Sequence, residues 1–311
     1  FTKINEMKID DLENINFSDN SRLSFDHNLS KLNWFNIGGK TKIFLYANSL
    51  KDLSVFIKKY QNRGKIFILG AGSNTLFDDK TYEGVIIKLG KNFNNISMLN
   101  DDLIISGSSC LDKKLSEFAM ENNLEGFEFL SCIPGSIGGG IRMNAGCYGR
   151  EFKDIIVSVQ ALDLEGKVIT IPSKEISFKY RSTNLPKNLI YLSGTFKGKL
   201  SKKEIIKKNV IKLKTQKEKS QPFRVKTGGS TFKNPINQST KKVWELIKES
   251  INIDEANQMF GDAKLSEKHC NFLINKEKAS SKDMKNLINF IKENVYIKTG
   301  VKLELEIVLA S

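Results

Sequence analysis

The spacing of apolar side chains predicts a mixture of short strands and helices over the first two thirds of the chain. Residues 49–60 show the helical pattern, because Ser49 supplies an N-cap, Asp52 lies in the first turn, and apolar residues recur every three or four positions. The other elements predicted here are strands over 65–69, 84–89 and 103–107, a helix from 111 to 119, and a β-hairpin over 155–171 that turns at Glu165 and Gly166.

The last third of the chain begins with a lysine-rich helix near 201–219, which is the expected link to a second domain. Its predicted apolar side consists of Ile205, Ile206, Val210, Ile211 and Leu213. We then predict helices over 239–250 and 281–298, the second ended by Gly300, and a final strand over 301–309. Because the order of strands and helices is mixed, the sequence predicts an α+β fold and not a doubly wound sheet.

The composition is that of a globular protein with two domains of ordinary size. The chain has 311 residues, of which 40% are hydrophobic and 27% charged. Its four cysteines form no C-x-x-C pair and no zinc spacing, so we expect unpaired thiols in a reducing compartment. Two histidines exclude a His-rich metal site and leave few candidates for a Ser-His-Asp triad, so no metal is expected.

The N-terminal region and the hydropathy pattern predict a cytoplasmic protein. No apolar run approaches the roughly 18 residues that a membrane helix needs, so no membrane partner is expected. Glu6, Asp10, Asp11 and Glu13 precede any apolar stretch, so we expect no signal peptide. Because residue 1 is Phe, we expect a short leader to precede it.

The formal charge of +14 comes almost entirely from lysine, since only six of the 49 basic residues are arginines. Proteins that recognise nucleic acids concentrate arginines and aromatic residues on one face, whereas these lysines are dispersed. We therefore expect solvated lysine faces and no nucleic-acid partner. The charge still favours an anionic substrate such as a nucleotide.

The first segment with candidate chemistry is Gly70-Ala-Gly-Ser-Asn-Thr-Leu76. It has two of the glycines of a dinucleotide fingerprint, but Thr75 replaces the third, and the next predicted strand leaves no room for a crossover helix. The segment also lacks the Gly-Lys-Ser/Thr of a P-loop. Two interpretations stay open: a hairpin turn, or a tight turn whose backbone N–H groups, with Ser73 and Asn74, hold a phosphate.

The second segment is FLSCIPGSIGGGIRMNAGCYG, residues 129–149. Arg142 is the only charged residue, and six of the 21 residues are glycines. A surface loop would be more polar, and a core strand would contain fewer glycines. Either this is a buried packing loop, or its backbone approaches a cofactor closely and donates N–H groups to it.

The third segment runs from Lys226 to Pro235 and contains Gly-Gly-Ser230-Thr-Phe-Lys233. Nearby cations and a dry site would make the Ser230 hydroxyl a better proton donor, although spacing alone favours a capped turn. In the final strand, apolar residues from Val301 to Ile307 alternate with Lys302, Glu304 and Glu306, the pattern of a half-buried strand. An arginine such as Arg181 and a glutamate that converge on a substrate carboxylate could stabilise an enolate.

Taken together, these segments resemble the UDP-N-acetylenolpyruvoylglucosamine reductase family, also called the UDP-N-acetylmuramate dehydrogenase family. The resemblance covers nearly the whole chain beyond about residue 30. The motifs that carry it, in order, are WFNIGG (34–39), GAGSNTLF (70–77), GFEFLSCIPGSIGGGIRMNAGCYG (126–149), FKYRS (178–182), GGSTFKNP (228–235), WELI (244–247), SEKHCNFLIN (266–275) and LELEI (303–307).

The resemblance implies a fold and a cofactor. It implies an FAD-binding domain of the vanillyl-alcohol-oxidase (PCMH) type over 36–200, after a lead-in over 1–35, and a smaller C-terminal α/β substrate-binding domain over 201–311. It also implies that NADPH reduces FAD, and that a hydride then passes from flavin N5 to C3 of UDP-N-acetylglucosamine enolpyruvate. The product would be UDP-N-acetylmuramate, a cytoplasmic precursor of peptidoglycan. We expect a monomer.

The resemblance also implies roles for individual residues. Ser230 would protonate C2, while Arg181 and Glu306 would stabilise the enol form of the substrate carboxylate. The implied FAD-binding residues are Gly70, Ala71, Gly72, Ser73, Asn74, Leu76, Ile133, Pro134, Gly135, Ser136, Gly138, Gly139, Asn144, Ala145 and Gly146. The implied substrate contacts are Tyr180, Lys233, Asn234, Lys264 and His269.

The sequence departs from the family pattern at two places and indicates one of its branches. Asn33 stands where the family usually has Thr, and residues 251–261 lack the usual Gly-rich loop before Gly261. The short stretch after Arg181 leaves no room for the tyrosine loop of the longer branch, so we expect the shorter, type II branch.

Two alternatives remain at this stage. A related FAD-linked oxidase of a hydroxy acid or sugar would share the phosphate loops without needing Ser230, Arg181 and Glu306 together. A basic RNA-binding protein would bind no flavin, and it leaves the segment at 129–149 without an explanation.

Overall fold

The computed structural model describes residues 10–18, 20–61 and 63–311. Within these residues the helices are α1 Asp10–Glu13, α2 Leu50–Tyr60, α3 Asp112–Glu121, α4 Ile137–Met143, α5 Lys203–Ser220, α6 Val243–Ser250, α7 Ile253–Met259 and α8 Ser281–Thr299. The first ten strands are β1 Arg22–Asn28, β2 Lys40–Ala47, β3 Lys65–Ile68, β4 Thr75–Phe77, β5 Tyr82–Leu89, β6 Ile96–Met98, β7 Leu103–Gly107, β8 Leu124–Glu125, β9 Gly146–Cys147 and β10 Arg150–Glu151. The remaining strands are β11 Ile156–Leu162, β12 Val168–Pro172, β13 Phe178–Lys179, β14 Ser182–Thr183, β15 Ile190–Lys197, β16 Lys199–Leu200, β17 Lys226–Ser230, β18 Ala263–Leu265, β19 Phe272–Asn275 and β20 Val308–Ala310. The predicted α+β class is confirmed.

The chain folds into two compact units, each made of several chain segments. Unit 1 consists of the described residues up to Phe25, together with Lys42–Ala71 and Glu83–Thr215. Unit 2 consists of Asp26–Thr41, Gly72–Tyr82 and Gln216–Ser311.

Unit 1 is built on two sheets. A five-stranded antiparallel sheet has the order β12-β11-β15-β7-β6, and most of a four-stranded sheet with the order β1-β2-β5-β3 also belongs to this unit. Helix α2 packs Leu53, Phe56 and Ile57 into a core with β2 and β5, whereas α3 and α4 contribute to a second core beside the five-stranded sheet. The predicted hairpin over 155–171 is the β11–β12 pair.

The boundaries of the two best-patterned helices follow from their capping residues. Ser49 accepts a hydrogen bond from the Asp52 backbone N–H at 3.1 Å, as predicted, and this bond satisfies one of the free N–H groups at the start of α2. Helix α8 begins after Ser280, whose hydroxyl accepts from the backbone N–H of Asp283, and it ends at Gly300 in the left-handed conformation.

Unit 2 combines a small antiparallel sheet with helices. The sheet has the order β17-β19-β18, and a separate parallel pair joins β20 to β4. Met284, Leu287, Ile288 and Ile291 of α8 lie in its core, where they meet apolar side chains from α6. Unit 2 therefore buries its own apolar residues independently of the unit 1 cores.

The predicted strand over 301–309 is wrong for most of its length. Only Val308–Ala310 form a strand, and before it Leu305 makes a single bridge to Phe232. The predicted alternation of burial is present from Val301 to Glu304, and Ile307 is buried, whereas Leu305 and Glu306 are both half-buried. The segment is extended but has no regular partner strand alongside it, so it cannot form a continuous ladder of hydrogen bonds.

Two other predictions need correction. The capped turn favoured for Gly-Gly-Ser230 is in fact strand β17, which pairs with β19 and contains an irregularity between Thr227 and Ser230. In α5, Ile206 and Val210 are buried, but Ile205 and Ile211 are 49% and 54% exposed. Those two side chains lie about 100° away from the buried stripe, because a helix turns by that angle at each residue.

No helix of the described residues is both long enough and apolar enough to cross a membrane.

Candidate active site

The Gly70–Leu76 segment follows strand β3 and runs into strand β4, which begins at Thr75 and pairs in parallel with β20. β3 and β5 pair in parallel register, and the backbone N–H of Leu69 extends that pairing to the Ile87 carbonyl at 2.8 Å. Because a hairpin joins antiparallel strands, the hairpin-turn interpretation of this segment is wrong. Gly70 and Ala71 belong to unit 1, whereas the residues from Gly72 onward belong to unit 2.

Gly72 is required by the shape of this turn. Its φ is +70°, and a Cβ at this position would lie 2.2 Å from the Leu32 carbonyl oxygen, so only glycine fits. The Gly72 carbonyl accepts a hydrogen bond from the backbone N–H of Trp34 at 3.0 Å. Further along, the Asn74 side-chain amide donates to the Glu306 carbonyl at 3.0 Å, and Leu76 packs into the core of unit 2. Ser73 is half-buried in this turn.

The Gly-rich segment crosses the start of helix α3 in unit 1. The Asp112 backbone N–H donates to the Gly135 carbonyl at 3.1 Å, and the Gly138 backbone N–H donates to the Ser108 carbonyl at 2.9 Å. Ile133 and Pro134 lead into this crossing, and Gly139 is exposed in the first turn of α4. The segment is therefore neither a surface loop nor a core strand.

Polar groups without a protein partner lie at this crossing. Within the part of the chain that the structure describes, the Ser108 and Ser136 hydroxyls and both carboxyl oxygens of Asp112 are buried and make no hydrogen bond. Burial alone raises the pKa of Asp112 well above its usual range, which favours the protonated form. Buried polar groups normally find a partner. The cluster therefore fits a bound cofactor that offers hydrogen-bonding atoms.

Asn144 organises the end of α4 from a fully buried position. With φ of +45°, it ends the helix in the left-handed conformation. Its side-chain amide donates to Glu151 at 3.0 Å and to the Lys179 carbonyl at 3.1 Å, while its side-chain oxygen accepts from the Lys153 backbone N–H. The side chain thus links three chain segments, and the Ala145 carbonyl accepts a further backbone bond from Phe152.

Arg181 lies in the two-residue turn between β13 and β14. Its φ is +54°, an uncommon value for a residue with a side chain. The guanidinium donates to the Gly146 carbonyl at 2.8 Å, lies 3.8 Å from a carboxyl oxygen of Glu151, and stacks 4.8 Å from the centre of the Tyr180 ring. The side chain is 16% exposed. These contacts hold a cation in a fixed orientation at the surface of unit 1.

Ser230 ends strand β17, beside an asparagine that braces the following residues. The backbone N–H of Thr231 donates to the Asn271 carbonyl at 2.7 Å, and the Asn271 side chain both accepts from the Phe232 backbone N–H and donates to its carbonyl. Asn271 is buried, so these bonds persist in a site that excludes water. Ser230 itself is half-buried at the strand end that precedes these braced residues.

The two glutamates of the LELEI motif have different surroundings. Glu304 is 73% exposed and faces the Lys233 ammonium at 3.8 Å. Glu306 is half-buried, and its backbone N–H donates to the Thr231 carbonyl at 2.8 Å. Unit 2 therefore brings both glutamates next to the Ser230 segment, Glu306 at Thr231 and Glu304 at Lys233, whose backbone N–H donates to the Glu304 carbonyl at 2.9 Å.

The remaining predicted substrate contacts are distributed over unit 2. Asn234 accepts a hydrogen bond from the backbone N–H at the start of α6, and the Lys264 ammonium donates to the Asn257 carbonyl. His269 packs edge-on against Phe272, and its Nδ1 accepts from the Asn271 backbone N–H. Burial lowers the His269 pKa, which favours the neutral ring that accepts this bond.

The structure thus distributes the predicted catalytic residues over both units, with Arg181 in unit 1 and Ser230 and Glu306 in unit 2. Sequence reasoning missed Asp112, Glu151 and Asn271. Asn271 was within a quoted motif, but an asparagine alone does not indicate that it braces a neighbouring strand. Within the described ranges, no group of three or more His, Cys, Asp or Glu side chains could hold a metal ion.

Comparison with known families defines the class of protein. A family model described as "FAD binding domain" matches residues 41–172, which contain the turn at Gly70 and the Gly-rich segment. A second family model, described as "UDP-N-acetylenolpyruvoylglucosamine reductase, C-terminal domain", matches residues 221–310. The chain is therefore an FAD-dependent flavoprotein with two family domains, which confirms the expected cofactor.

Individual relatives identify the family. The reductase of Pelagibacter ubique is 55% identical over 301 residues, covering 97% of this chain and 99% of the relative, and that of Rickettsia canadensis is 45% identical over 285 residues, covering 91% and 93%. The crystal structure of the reductase from Thermus caldophilus has a TM-score of 0.78 at 26% identity and covers 94% of this chain and 100% of that one. The chain belongs to the UDP-N-acetylenolpyruvoylglucosamine reductase family, and is an oxidoreductase with that fold.

Proposed function

We propose that this enzyme reduces UDP-N-acetylglucosamine enolpyruvate to UDP-N-acetylmuramate with NADPH, as a cytoplasmic step in the synthesis of peptidoglycan precursors. Family membership supports the reaction, and one observation supports the chemistry in particular. The backbone N–H of Glu306 donates to the Thr231 carbonyl, so Glu306 lies beside the residue that follows Ser230. A proton donor and a stabilising acid are the groups that reduction of an enolpyruvyl double bond requires.

The residues proposed to hold FAD are those of the Gly70–Leu76 turn and of the segment from Ile133 to Gly146. When bound, FAD would supply the hydride chemistry that links NADPH, through flavin N5, to the enolpyruvyl C3. This assignment is supported by the unused hydroxyls of Ser108 and Ser136 and by the Asp112 carboxyl, because a cofactor would satisfy them. The side-chain amide of Asn144 already donates to two protein acceptors, so Asn144 contributes by setting the backbone conformation at the end of α4.

Ser230 is proposed to donate the proton that C2 of the substrate receives. A serine hydroxyl is a weak acid in water, so it needs a site that stabilises the alkoxide left behind. The Asn271 brace limits motion of the strand end, and the Lys226 and Lys233 ammonium groups belong to the same segment. These features favour Ser230 over an exposed serine.

Arg181 and Glu306 are proposed to stabilise the enol form of the substrate carboxylate. Negative charge develops on that carboxylate when C3 is attacked, and a fixed cation stabilises such charge without reorganising. Arg181 meets this requirement, because Gly146, Glu151 and Tyr180 hold its guanidinium in one orientation. Glu306 can share a proton with the same carboxylate.

Tyr180, Lys233, Asn234, Lys264 and His269 are proposed as further substrate contacts. The two lysines supply positive charge suited to a diphosphate, and the neutral His269 ring and the Asn234 amide supply hydrogen-bonding groups. We also propose an FAD-binding domain over 36–200 and a substrate-binding domain over 201–311, in a type II enzyme that acts as a monomer. Residues 184–189 alone connect β14 to β15, which supports the type II branch.

An isotope experiment tests the proposed reaction. The enzyme, NADPH and UDP-N-acetylglucosamine enolpyruvate are incubated in D₂O, where the hydroxyl proton of Ser230 exchanges for deuterium. We expect the sugar-nucleotide product to carry deuterium at C2 by nuclear magnetic resonance. A product with protium at C2, or no conversion of this substrate, would contradict the proposal.

A further inference from the structure

Lys88 is a half-buried cation that the mechanism above does not use. It lies in β5, where Val85, Ile87 and Leu89 point into the core that contains α2. Because side chains alternate along a strand, Lys88 points to the opposite face of the sheet. Its ammonium donates a 3.0 Å hydrogen bond to the carbonyl oxygen of Gly70, the first residue of the turn at 70–76.

No carboxylate of the described residues forms an ion pair with Lys88, in contrast to Lys42 on a neighbouring strand, which pairs with Glu83. Burial lowers the pKa of Lys88, and no negative group opposes that effect. Removing an ammonium from water without a counter-charge is costly, and a neutral carbonyl compensates only a part of the cost. The position therefore favours an anion next to Lys88.

The surroundings of Gly70 indicate which kind of anion. A Cβ on Gly70 would lie 2.5 Å from the Ser136 hydroxyl oxygen, so the turn and the Gly-rich segment approach each other here. That hydroxyl is buried and makes no hydrogen bond within the described chain. An ammonium and an unused hydroxyl thus flank the same glycine, and a phosphate oxygen can bond to both groups.

We propose that Lys88 is the counter-cation of the FAD pyrophosphate and that Ser136 contributes a hydrogen bond to the same group. Lys88, Gly70 and Ser136 all lie within residues 41–172, the range that matches the FAD-binding family. The inference rests on the FAD cofactor alone, so it is independent of the substrate and reductant proposed above. NADPH is a second source of phosphate groups, and the experiment separates the two.

The experiment compares two glutamine variants. Lys88→Gln keeps a side-chain N–H that can still donate to Gly70 but removes the positive charge. Lys51→Gln is the matched control, because Lys51 is exposed on α2 and away from the turn. FAD is removed from each protein, and the Kd for added FAD is measured by quenching of flavin fluorescence at several salt concentrations.

We expect Lys88→Gln to raise the Kd for FAD by about 10- to 100-fold and to flatten its salt dependence, while Lys51→Gln stays within about twofold of the parent protein. Lys88→Arg should retain most of the affinity, since it restores the charge. Circular dichroism and the Tm of the apoprotein establish that each variant is folded.

Three results would overturn the proposal. An unchanged Kd for FAD in folded Lys88→Gln would mean that Lys88 only braces the Gly70 carbonyl. An unchanged Kd for FAD with a raised KM for NADPH at saturating FAD would assign the cation to the reductant instead. Lys88→Arg serves as the test if Lys88→Gln does not fold, because arginine keeps the positive charge at position 88. A Lys88→Arg protein that binds FAD as weakly as a Ser136→Ala protein would also contradict the proposal, since the positive charge would then not contribute to FAD binding.

Discussion

The backbone N–H of Glu306 donates a 2.8 Å hydrogen bond to the carbonyl oxygen of Thr231, the residue that follows Ser230. The Glu306 carbonyl in turn accepts from the side-chain amide of Asn74 at 3.0 Å. The backbone of Glu306 is therefore held on both sides, once by the Ser230 segment and once by the turn at 70–76. The turn at 70–76 and the Ser230 segment are far apart in sequence, but both form hydrogen bonds to the backbone of Glu306 in unit 2.

Replacement of Ser230 by alanine tests the proton-donor role. In Ser230→Ala, we expect reduction of bound flavin by NADPH to proceed at a near-normal rate, because that step needs no proton from Ser230. Reoxidation by the sugar nucleotide should slow by about 10²- to 10⁴-fold, the range for loss of a general acid. Stopped-flow absorbance separates the two half-reactions.

Ser220→Ala, at the exposed end of α5, is the control for this prediction and should leave both half-reactions unchanged. An equal loss in both half-reactions of Ser230→Ala would indicate a general disturbance of the flavin site, and would count against the proton-donor assignment.

The two glutamates of the LELEI motif form a matched pair of variants. Glu306→Gln should lower kcat by about 10²-fold or more, because it removes an acid next to the reacting carboxylate. Glu304→Gln should change kcat by less than about twofold, since Glu304 is 73% exposed and its ion pair with Lys233 is screened by solvent. Steady-state kinetics with both substrates measures the difference. Equal effects of the two changes would contradict the assignment.

Alanine substitutions at Gly72 and Gly149 distinguish the cost of backbone strain from the cost of steric crowding. Both have a positive φ, but a Cβ on Gly149 would meet nothing within 4 Å, whereas one on Gly72 would meet the Leu32 carbonyl oxygen. Gly149→Ala should lower the free energy of unfolding by about 1–2 kcal/mol through strain alone. Gly72→Ala should cost about 1–3 kcal/mol more, because the turn must also shift. Urea unfolding of the two apoproteins measures both values, and equal losses would refute the crowding argument.

Asp112 makes the stability of the apoprotein depend on pH. Its pKa is raised in the fold by burial, so the folded state keeps a proton that the unfolded chain loses once the pH exceeds the usual aspartate range. The stabilising effect of that proton is full at low pH and declines as the pH rises, by about 1.4 kcal/mol per pH unit until the folded pKa is reached.

Asp112→Asn should therefore lose less stability than the parent protein between pH 5 and pH 7, when the free energy of unfolding is measured in urea. The amide keeps the shape of the side chain and cannot ionise, so the difference between the two curves isolates one titrating group. Parallel curves would show that Asp112 is already ionised in the folded protein.

The elements that the sequence predicted well carry local signals. Helices α2 and α8 were predicted because Ser49 caps one and Gly300 ends the other, and both signals depend only on neighbouring residues. The alternation of burial was also predicted correctly from Val301 to Glu304, but not at Leu305 and Glu306, which are both half-buried. The regular strand was wrong because strand pairing depends on a distant partner, which the segment meets only at the bridge from Leu305 to Phe232.

Four other features of the structure were not predicted from the sequence. Residues 253–259 form helix α7 with Asn252 as its N-cap, although the missing glycines suggested only a divergent loop. Asn33, the other departure, donates its side-chain amide to the carbonyls of Leu29 and Ile37 and so fixes a turn. The buried Asp112 and the brace at Asn271 have no sequence signature, because their environments arise only when separate segments meet.

The most direct test of the account is an anaerobic visible spectrum of the purified protein. We predict a yellow flavin spectrum that bleaches when NADPH is added and returns when UDP-N-acetylglucosamine enolpyruvate follows. Bleaching without recovery would assign the protein to FAD-linked oxidases of another substrate, such as a hydroxy acid or a sugar. Absence of flavin absorbance, even after reconstitution with FAD, would contradict the proposed FAD-dependent reduction.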